Sequence, residues 1–285
     1  MEWTNAKKFV IVLLAILNLV LAGLNYRQKQ ENTMTALQER AIFEVLSQNG
    51  IAMYTDLLTA SAPMARFSAE IPEYSKETLE RLFFGGEKTT VTLQADRRLY
   101  RGTEATLTIS GAAGLLEKEG VAGGKDGLTK AEAQKQAEHF LAQTEHFFGN
   151  YEEPIVQEEE EGFRVTFYGT YKRENIFSNY FSFFVTEGGI RQIAFYYCPI
   201  QGYSGEKKDI CYGDEALFTF MRAWRSKENA GEATIHRMEL GYTQVAENDA
   251  QAAVVYLEPC YRIYLMEEDA PYLVNAYTCQ LIERE

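Results

Sequence analysis

The sequence predicts an α+β fold in which an N-terminal transmembrane helix precedes repeated modules, each a helix packed on a three- or four-stranded antiparallel sheet. Three observations lead to this fold class. A 16-residue apolar run, Phe9 to Leu24, stands near the N-terminus. Four later segments repeat apolar residues with the period of an amphipathic helix. The stretches between them alternate apolar and polar residues with the period of a strand.

The apolar run is short for a membrane span, because a helix needs about 20 residues to cross about 30 Å of hydrocarbon. Two lysines before it and Arg27 after it can extend their charged ends to the membrane surface. We therefore predict a membrane anchor over residues 1–30. A signal peptide cleaved after Ala22 is the alternative. We favour the anchor because the apolar run continues through Leu24 without a Pro or Ser.

The charges around the apolar run predict its orientation. The lysines before it favour a cytoplasmic N-terminus, so the chain beyond the run is expected to be extracellular in a single-pass protein of the cell membrane. Asn18 lies in the middle of the span, where an interhelical hydrogen bond contributes on the order of 1 kcal/mol. We expect Asn18 to contact the membrane helix of a partner. A hydrogen bond to its own helix or to water is the other interpretation.

The composition limits the class of partner. The chain carries a net charge of -13, and 46% of its residues are hydrophobic, enough for a folded core. An acidic surface repels phosphate backbones, so we do not expect a nucleic-acid partner.

The four predicted helices begin at residues whose side chains cap helix N-termini. Those residues are Thr35, Ser75, Thr129 and Asp214. Glycines close the first three helices, the first at Gly50, the second at Gly85 and the third at Gly149.

The predicted strands are nine alternating or apolar segments. They cover residues 88–100, 103–110, 163–172, 178–187, 190–197, 234–246, 251–257, 260–266 and 272–282. Because a helix followed by strands occurs twice, we predict two similar modules, 127–205 and 212–285. Glycine and charge replace the apolar period around residue 120. We place a first extracytoplasmic domain at 31–120 and a second, containing both modules, at 121–285.

The four cysteines lie on the predicted outside, where disulfides persist. If Asp269 and Ala270 form the tip of the last hairpin, Cys260 faces Cys279 across two strands, close enough for a disulfide. Cys198 and Cys211 could bridge the segment between the modules in the same way. Four reduced thiols are the alternative.

We find no convincing catalytic or metal-binding motif. His139 and His146 are seven residues apart, whereas metal ligands on one helix are three or four apart. Ser204 lies in GYSGE, where the second glycine comes one place too early for a nucleophile elbow. We expect no enzyme activity, no catalytic residues, no metal and no cofactor.

Both ends of the chain resemble the YycI family. The N-terminal pattern pairs an acidic residue with Trp, followed by Ala-Lys and by Leu-Asn inside the apolar span. These residues are Glu2, Trp3, Ala6, Lys7, Leu17 and Asn18. Near the C-terminus, CYRIYL and YLVNAYT are similar to the strand pair that closes modules of YycI, YycH and the wider PepSY-like group. A glycine often follows the Thr there, and this chain has Cys279 instead.

The resemblance implies a regulator of a two-component system. Such a protein modulates the YycG (WalK) sensor histidine kinase, which controls cell-wall metabolism, through transmembrane and ectodomain contacts with the kinase and with its sister regulator YycH. A homodimer or heterodimer is compatible with this role. The alternative is an anchored or secreted PepSY-like module that binds a ligand or inhibits a protease.

Overall fold

The fold is α+β and dominated by strands. The computed structural model describes residues 11–21, 23, 36–59, 62–144, 147–227, 231–245, 254–268 and 270–282. The helices are α1 (residues 11–21), α2 (Ala36–Gln48), α3 (Lys76–Phe84), α4 (Lys130–Gln143) and α5 (Gly213–Arg225). The strands are β1 (Ile51–Met53), β2 (Met64–Glu70), β3 (Thr90–Gln94), β4 (Arg97–Arg101), β5 (Ala105–Ser110), β6 (Ala113–Lys118), β7 (Asn150–Tyr151), β8 (Ile155–Glu159), β9 (Gly162–Tyr171), β10 (Glu174–Thr186), β11 (Gly189–Tyr196), β12 (Ile200–Lys208), β13 (Ala233–Gln244), β14 (Val254–Leu265), β15 (Tyr272–Asn275) and β16 (Gln280–Ile282).

The chain forms two compact units, and neither is continuous in sequence. The first unit combines Met1–Pro63, Asp209–Glu239 and Tyr261–Glu285. The second unit combines Met64–Lys208 and Leu240–Cys260. The predicted domains, by contrast, are contiguous stretches divided near residue 120. That residues 31–120 and 121–285 fold as separate domains stays a prediction. That residues 127–205 and 212–285 are two copies of one module also stays a prediction.

The first unit is organised around α5. This helix contacts α2, β15 and β16. Its buried Phe220 meets Tyr272 of β15 with ring centroids 4.9 Å apart. Strand β1 pairs with β13 in parallel, with Ile51 facing Ala233. This pairing and the parallel contact between β10 and β13 in the second unit make the strand pairing mixed, so the expectation of purely antiparallel sheets was wrong.

The second unit is organised around a sheet with the strand order β12-β2-β14-β13-β10-β11-β6-β5-β4-β3. Helices α3 and α4 contribute apolar residues to its main core. Phenylalanines dominate this core: Phe195 stacks on Phe181 at 4.8 Å and on Phe83 of α3 at 5.3 Å. Gly114 permits this packing, because a Cβ atom there would lie 2.1 Å from the Phe195 ring.

Two of the predicted helix caps are confirmed. The Ser75 hydroxyl accepts a hydrogen bond from the N–H of Thr78, and α3 ends at Gly85 in the left-handed conformation. Thr129 and Glu132 form a reciprocal capping box at the start of α4. Thr35 lies outside the described residues.

The predictions for the ends of α4 and α5 need correction. Helix α4 ends at Gln143, so Phe148 lies beyond the helix although it belongs to the same core. Helix α5 begins after Tyr212 rather than at Asp214, and the N–H of Tyr212 donates to Glu215 at 2.8 Å. Gly213 fits here because a Cβ atom would lie 2.3 Å from the carbonyl oxygen of Leu58.

Four strand predictions were also wrong in their extent. The segment 88–100 is not one strand but the hairpin β3–β4, with a turn at Ala95 and Asp96. The segment 272–282 is likewise a hairpin, β15–β16, closed by a turn at 276–279. Conversely, the segments 251–257 and 260–266 join in the single strand β14, whose described part begins at Val254.

The predicted anchor falls partly outside the described residues, which include 11–21 and 23 from that region. Over the part of the chain that the structure describes, none of the helices combines the length and the apolar character needed to cross a membrane.

Candidate functional site

The outer edge of β3 is the candidate functional site. This strand ends the sheet of the second unit, and all five of its residues are exposed. They include two large apolar side chains, Val91 at 38% exposure and Leu93 at 75%. Within the described ranges of the chain, β4 is the strand that pairs with β3, so the other edge of β3 is open.

The pairing register shows which backbone groups point outward. Gln94 faces Arg97 across a two-residue turn, and the register continues without a shift to Thr90 and Arg101. A two-residue turn closes on a hydrogen-bonded pair, and hydrogen-bonded and non-hydrogen-bonded pairs then alternate. The N–H and C=O groups of Leu93 and Val91 therefore point away from β4. Such groups form the template on which another strand can pair.

A buried carboxylate holds the start of β3 against α3. Glu80 is 2% exposed and accepts hydrogen bonds from the N–H of Thr89 at 2.7 Å and from its hydroxyl at 3.1 Å. Lys88 lies 3.1 Å from the same carboxylate. The hydrogen bond from the Thr89 backbone is the largest cause that lowers the pKa of Glu80 to about 2. This contact fixes the hairpin at its base.

The strand next to the open edge is basic. Strand β4 has the sequence RRLYR, and its Arg97 and Arg101 are exposed. They face Gln94 and Thr90 of β3, so both positive charges lie one strand away from the open edge, where Arg97 also lies 3.9 Å from the exposed Asp96 carboxylate. In a chain with a net charge of -13, this local positive charge favours an acidic partner over a second copy of the acidic chain.

Asn18, the predicted contact in the membrane helix, lies within α1 and is exposed. The large apolar side chains of α1 are exposed as well, among them Leu19 at 73%. Its role as a partner contact stays a prediction.

The four cysteines are free thiols in the structure. Cys198 is buried, and its N–H donates to the Asn179 side chain at 3.0 Å. Cys260 is also buried, whereas Cys211 and Cys279 are partly exposed. Cys279 lies in the turn between β15 and β16 rather than within a strand. The pairs Cys260 with Cys279 and Cys198 with Cys211 stay predictions.

The other residues singled out by the sequence lie apart from this edge in the chain. His139 is on α4, where its Nε2 lies 2.9 Å from Gln143 Nε2, and His146 is outside the described residues. Ser204 is on strand β12, not on a strand-turn-helix elbow. No group of three potential metal ligands occurs in the described part of the chain.

A groove of about 500 Å³ lies beside the start of α4. Most of its lining residues are polar or charged, although apolar atoms make up the larger part of the lining surface. Two of its side chains already have partners, since Glu132 closes the capping box and His139 lies against Gln143. The groove therefore gives no specific reason to prefer the ligand-binding alternative.

Sequence reasoning missed the open edge because it treated 88–100 as one strand. The turn at Ala95 and Asp96 contains no glycine or asparagine, the usual marks of a two-residue hairpin turn. Two short runs, TVTL and RRLY, lie on either side of this turn, and they were the available sign of a hairpin rather than one strand.

Comparison with known proteins matches this chain to one family and to solved structures, of which two are described. The model of the family described as YycI protein matches residues 29–277. An uncharacterized protein from Eubacterium rectale ATCC 33656, solved at 1.45 Å, has a similar fold, with a TM-score of 0.52 and 12% identity over 82% of this chain and 89% of that chain. The C-terminal domain of Bacillus megaterium YpeB gives a TM-score of 0.38 and 13% identity over 76% of this chain and 98% of that domain. No curated protein matches.

The family match covers most of the chain. YycI proteins are extracytoplasmic regulatory proteins associated with the YycG (WalK) kinase and with YycH. Their family is a regulatory family rather than a known enzyme family. Since the match runs from residue 29 to residue 277, this chain belongs to the YycI family.

Proposed function

We propose that this protein is a membrane-anchored, extracytoplasmic regulator that modulates a YycG-like sensor histidine kinase through contacts of its membrane helix and its ectodomain. The observation that carries this proposal is the family match over residues 29–277. The regulator acts on signalling that controls cell-wall metabolism. It works by binding proteins, without catalysis.

In this proposal residues 1–30 form the membrane anchor. The described part of this segment, α1, is helical and exposes apolar side chains on all sides. A helix that is apolar all round is typical of a buried or membrane-embedded segment. With basic residues before it, the N-terminus lies in the cytoplasm and the chain after residue 30 lies outside.

The open edge of β3 is the proposed ectodomain contact. Its outward N–H and C=O groups pair with an extended segment of a partner protein in the same membrane complex. The exposed Arg97 and Arg101 favour a segment that carries acidic side chains. Leu93 supplies an apolar contact beside the new backbone hydrogen bonds.

A proline at position 93 tests the strand pairing. The full-length chain is expressed with the kinase and the YycH-like regulator, and their recovery is compared for wild type, Leu93→Ala and Leu93→Pro. Proline removes an outward N–H and keeps the β3–β4 pairing, so we expect affinity for one partner to fall at least about tenfold. Leu93→Ala keeps the N–H and should cause a smaller loss.

One outcome would contradict this proposal, and one control variant shows whether the hairpin itself is intact. Full recovery of both partners with Leu93→Pro, in a chain that unfolds at the wild-type urea concentration, would remove the open edge from the proposal. Thr92→Pro is the matched control: the Thr92 N–H points toward β4, so this variant should destabilise the hairpin itself.

A second experiment tests the membrane helix. Asn18→Leu removes the side-chain amide, whereas Asn18→Gln keeps one. If Asn18 bonds to a partner helix, co-purification of the kinase should fall on the order of fivefold with leucine and partly recover with glutamine. Equal recovery for all three chains would exclude Asn18 as a contact. Mature protein lacking residues 1–22 would exclude the anchor altogether.

A further inference from the structure

Cys211 and Cys279 meet in the first unit. The N–H of Cys211 donates to the carbonyl oxygen of Ala276 at 2.7 Å, at the start of the turn that ends in Cys279. Tyr261 fixes Cys211 from the other side, because its hydroxyl donates to the Cys211 carbonyl oxygen at 2.7 Å. The Cys279 side chain is among the groups that raise the pKa of the Cys211 thiol, after burial. Backbone and side-chain contacts therefore hold both cysteines in place.

The turn that carries Cys279 is itself well fixed. Asn275 accepts hydrogen bonds on its side-chain oxygen from the N–H groups of Tyr277 at 2.8 Å and Thr278 at 3.1 Å. The hydroxyl of Thr219, on α5, donates to the Cys279 carbonyl oxygen at 3.0 Å and lies 3.7 Å from its sulfur. These contacts position the Cys279 thiol beside the segment that precedes α5.

The backbone of Cys279 gives a second, independent observation. Its φ is 54°, in the left-handed region where glycine is the favourable residue. A side chain with a Cβ atom is strained in that conformation. Strained backbone of this kind points to a role for the residue that maintains it. The side chain that this position retains is a thiol, on the turn that the backbone of Cys211 contacts.

We propose that Cys211 and Cys279 are joined by a disulfide bond when the protein meets an oxidant, so that this pair is a redox modification site of the first unit. The bond links the segment before α5 to the turn between β15 and β16. It differs from the two pairings predicted from the sequence. It does not depend on any partner, so it can fail or hold independently of the proposed regulatory function.

The chemistry balances with an external disulfide, RSSR, as oxidant. The thiolate of Cys279 attacks one sulfur of RSSR, the S–S bond breaks, and one RSH leaves. The sulfur of Cys211 then attacks the mixed disulfide at Cys279 and releases the second RSH. The protein loses two electrons and two protons, and RSSR gains them. Burial raises the pKa of the Cys211 thiol, so the first attack is assigned to Cys279.

Peptide mapping tests the proposal without ambiguity. Lys207, Arg222 and Arg262 separate the four cysteines, so trypsin places each cysteine on its own peptide. The full-length chain in detergent is incubated with oxidised glutathione, unfolded in the presence of iodoacetamide so that buried thiols are blocked as well, and digested without reductant. Mass spectrometry should find the Cys211 and Cys279 peptides joined, while those of Cys198 and Cys260 carry the alkyl group.

Variants and stability complete the test. Cys211→Ser and Cys279→Gly should abolish the linked peptide, and Cys198→Ser should keep it. Oxidised wild type should unfold at a higher urea concentration than reduced wild type, while Cys279→Gly shows no such shift. The proposal is overturned if all four cysteines are alkylated. It is equally overturned if Cys279 is joined to Cys260 or Cys211 to Cys198.

Discussion

The sheet of the second unit ends in two edge strands, β3 and β12, and these strands differ in how regularly they pair with their neighbours. Strand β3 pairs with β4 in an unbroken register. Strand β12 pairs with β2 in a register that shifts twice, after Ile200 and after Ser204. Gly202 and Gly205 have positive φ in this irregular region. Irregular pairing twists an edge and hinders the addition of another strand.

Side chains reinforce the difference. On the β12 side, Tyr203 stacks on the buried Phe67 with centroids 4.6 Å apart, and the Lys172 ammonium lies 5.0 Å from the Tyr203 ring. The strand ends in two exposed lysines. On the β3 side, Leu93 is 75% exposed. The comparison teaches that β12 is protected against strand pairing, whereas β3 is available for it.

The largest expected effect comes from removing the aromatic anchor of the β12 side. Phe67 is fully buried against Tyr203, Tyr171 and Tyr242. Phe67→Ala should lower the free energy of unfolding by about 3–5 kcal/mol. Leu93→Ala on the open edge should lower it by less than about 0.5 kcal/mol. Urea unfolding of both variants measures the contrast, and equal losses would contradict it.

A pH-dependent effect should follow at the base of β3. The folded-state pKa of Glu80, about 2, is below its ordinary value of 4.5, so its contribution to stability is present above pH 4.5 and is lost as the pH falls toward 2. The urea midpoint of wild type should fall across this window. Glu80→Gln should be less stable than wild type at pH 6 and should show a flatter pH profile. An unchanged profile would contradict the anchoring role of Glu80.

The irregularity of β12 can be tested at one glycine. Gly205 has a φ of 77°, and a Cβ atom at this position would have no other atom within 4 Å, so Gly205→Ala probes the backbone alone. We expect a loss of about 1 kcal/mol in the free energy of unfolding, because alanine disfavours the left-handed conformation. Urea unfolding of Gly205→Ala beside wild type measures it. A neutral result would mean that the bulge does not require a left-handed residue.

Local chemistry made some of this fold predictable from the sequence. The capping box at Thr129 and Glu132 needs residues three apart, and Ser75 with Gly85 bounds α3 by the same kind of local rule. The two compact units were not predictable in this way. They depend on pairings such as Ile51 with Ala233, which join residues far apart in the chain and leave no periodic signal.

The missed turns explain why the candidate site was not found from the sequence. Two hairpins turn without glycine, through Ala95 in β3–β4 and through Cys279 in β15–β16, and both residues have positive φ. Because turn prediction relies on glycine and asparagine at such positions, each hairpin was interpreted as one long strand. A single strand hides the open edge of β3. Interpreting residues 272–282 as one strand likewise hides the turn that contains Cys279 and lies next to Cys211.

The smallest expected effect is a gain, and it sharpens the contrast between the two edges. Ala95 has a φ of 50°, a conformation that glycine adopts without strain. Ala95→Gly should raise the free energy of unfolding by up to about 1 kcal/mol, since relief of strain is partly offset by the greater freedom of glycine in the unfolded chain. Ala95→Gly should therefore raise the free energy of unfolding, whereas Gly205→Ala should lower it. Opposite signs would show that β12 needs glycine at its irregular position and that the β3–β4 turn forms without glycine although glycine would be more stable there. If Ala95→Gly lowers stability in urea unfolding, the strain at Ala95 is smaller than the cost of the greater freedom of glycine in the unfolded chain, and the proposed contrast between the two edges fails.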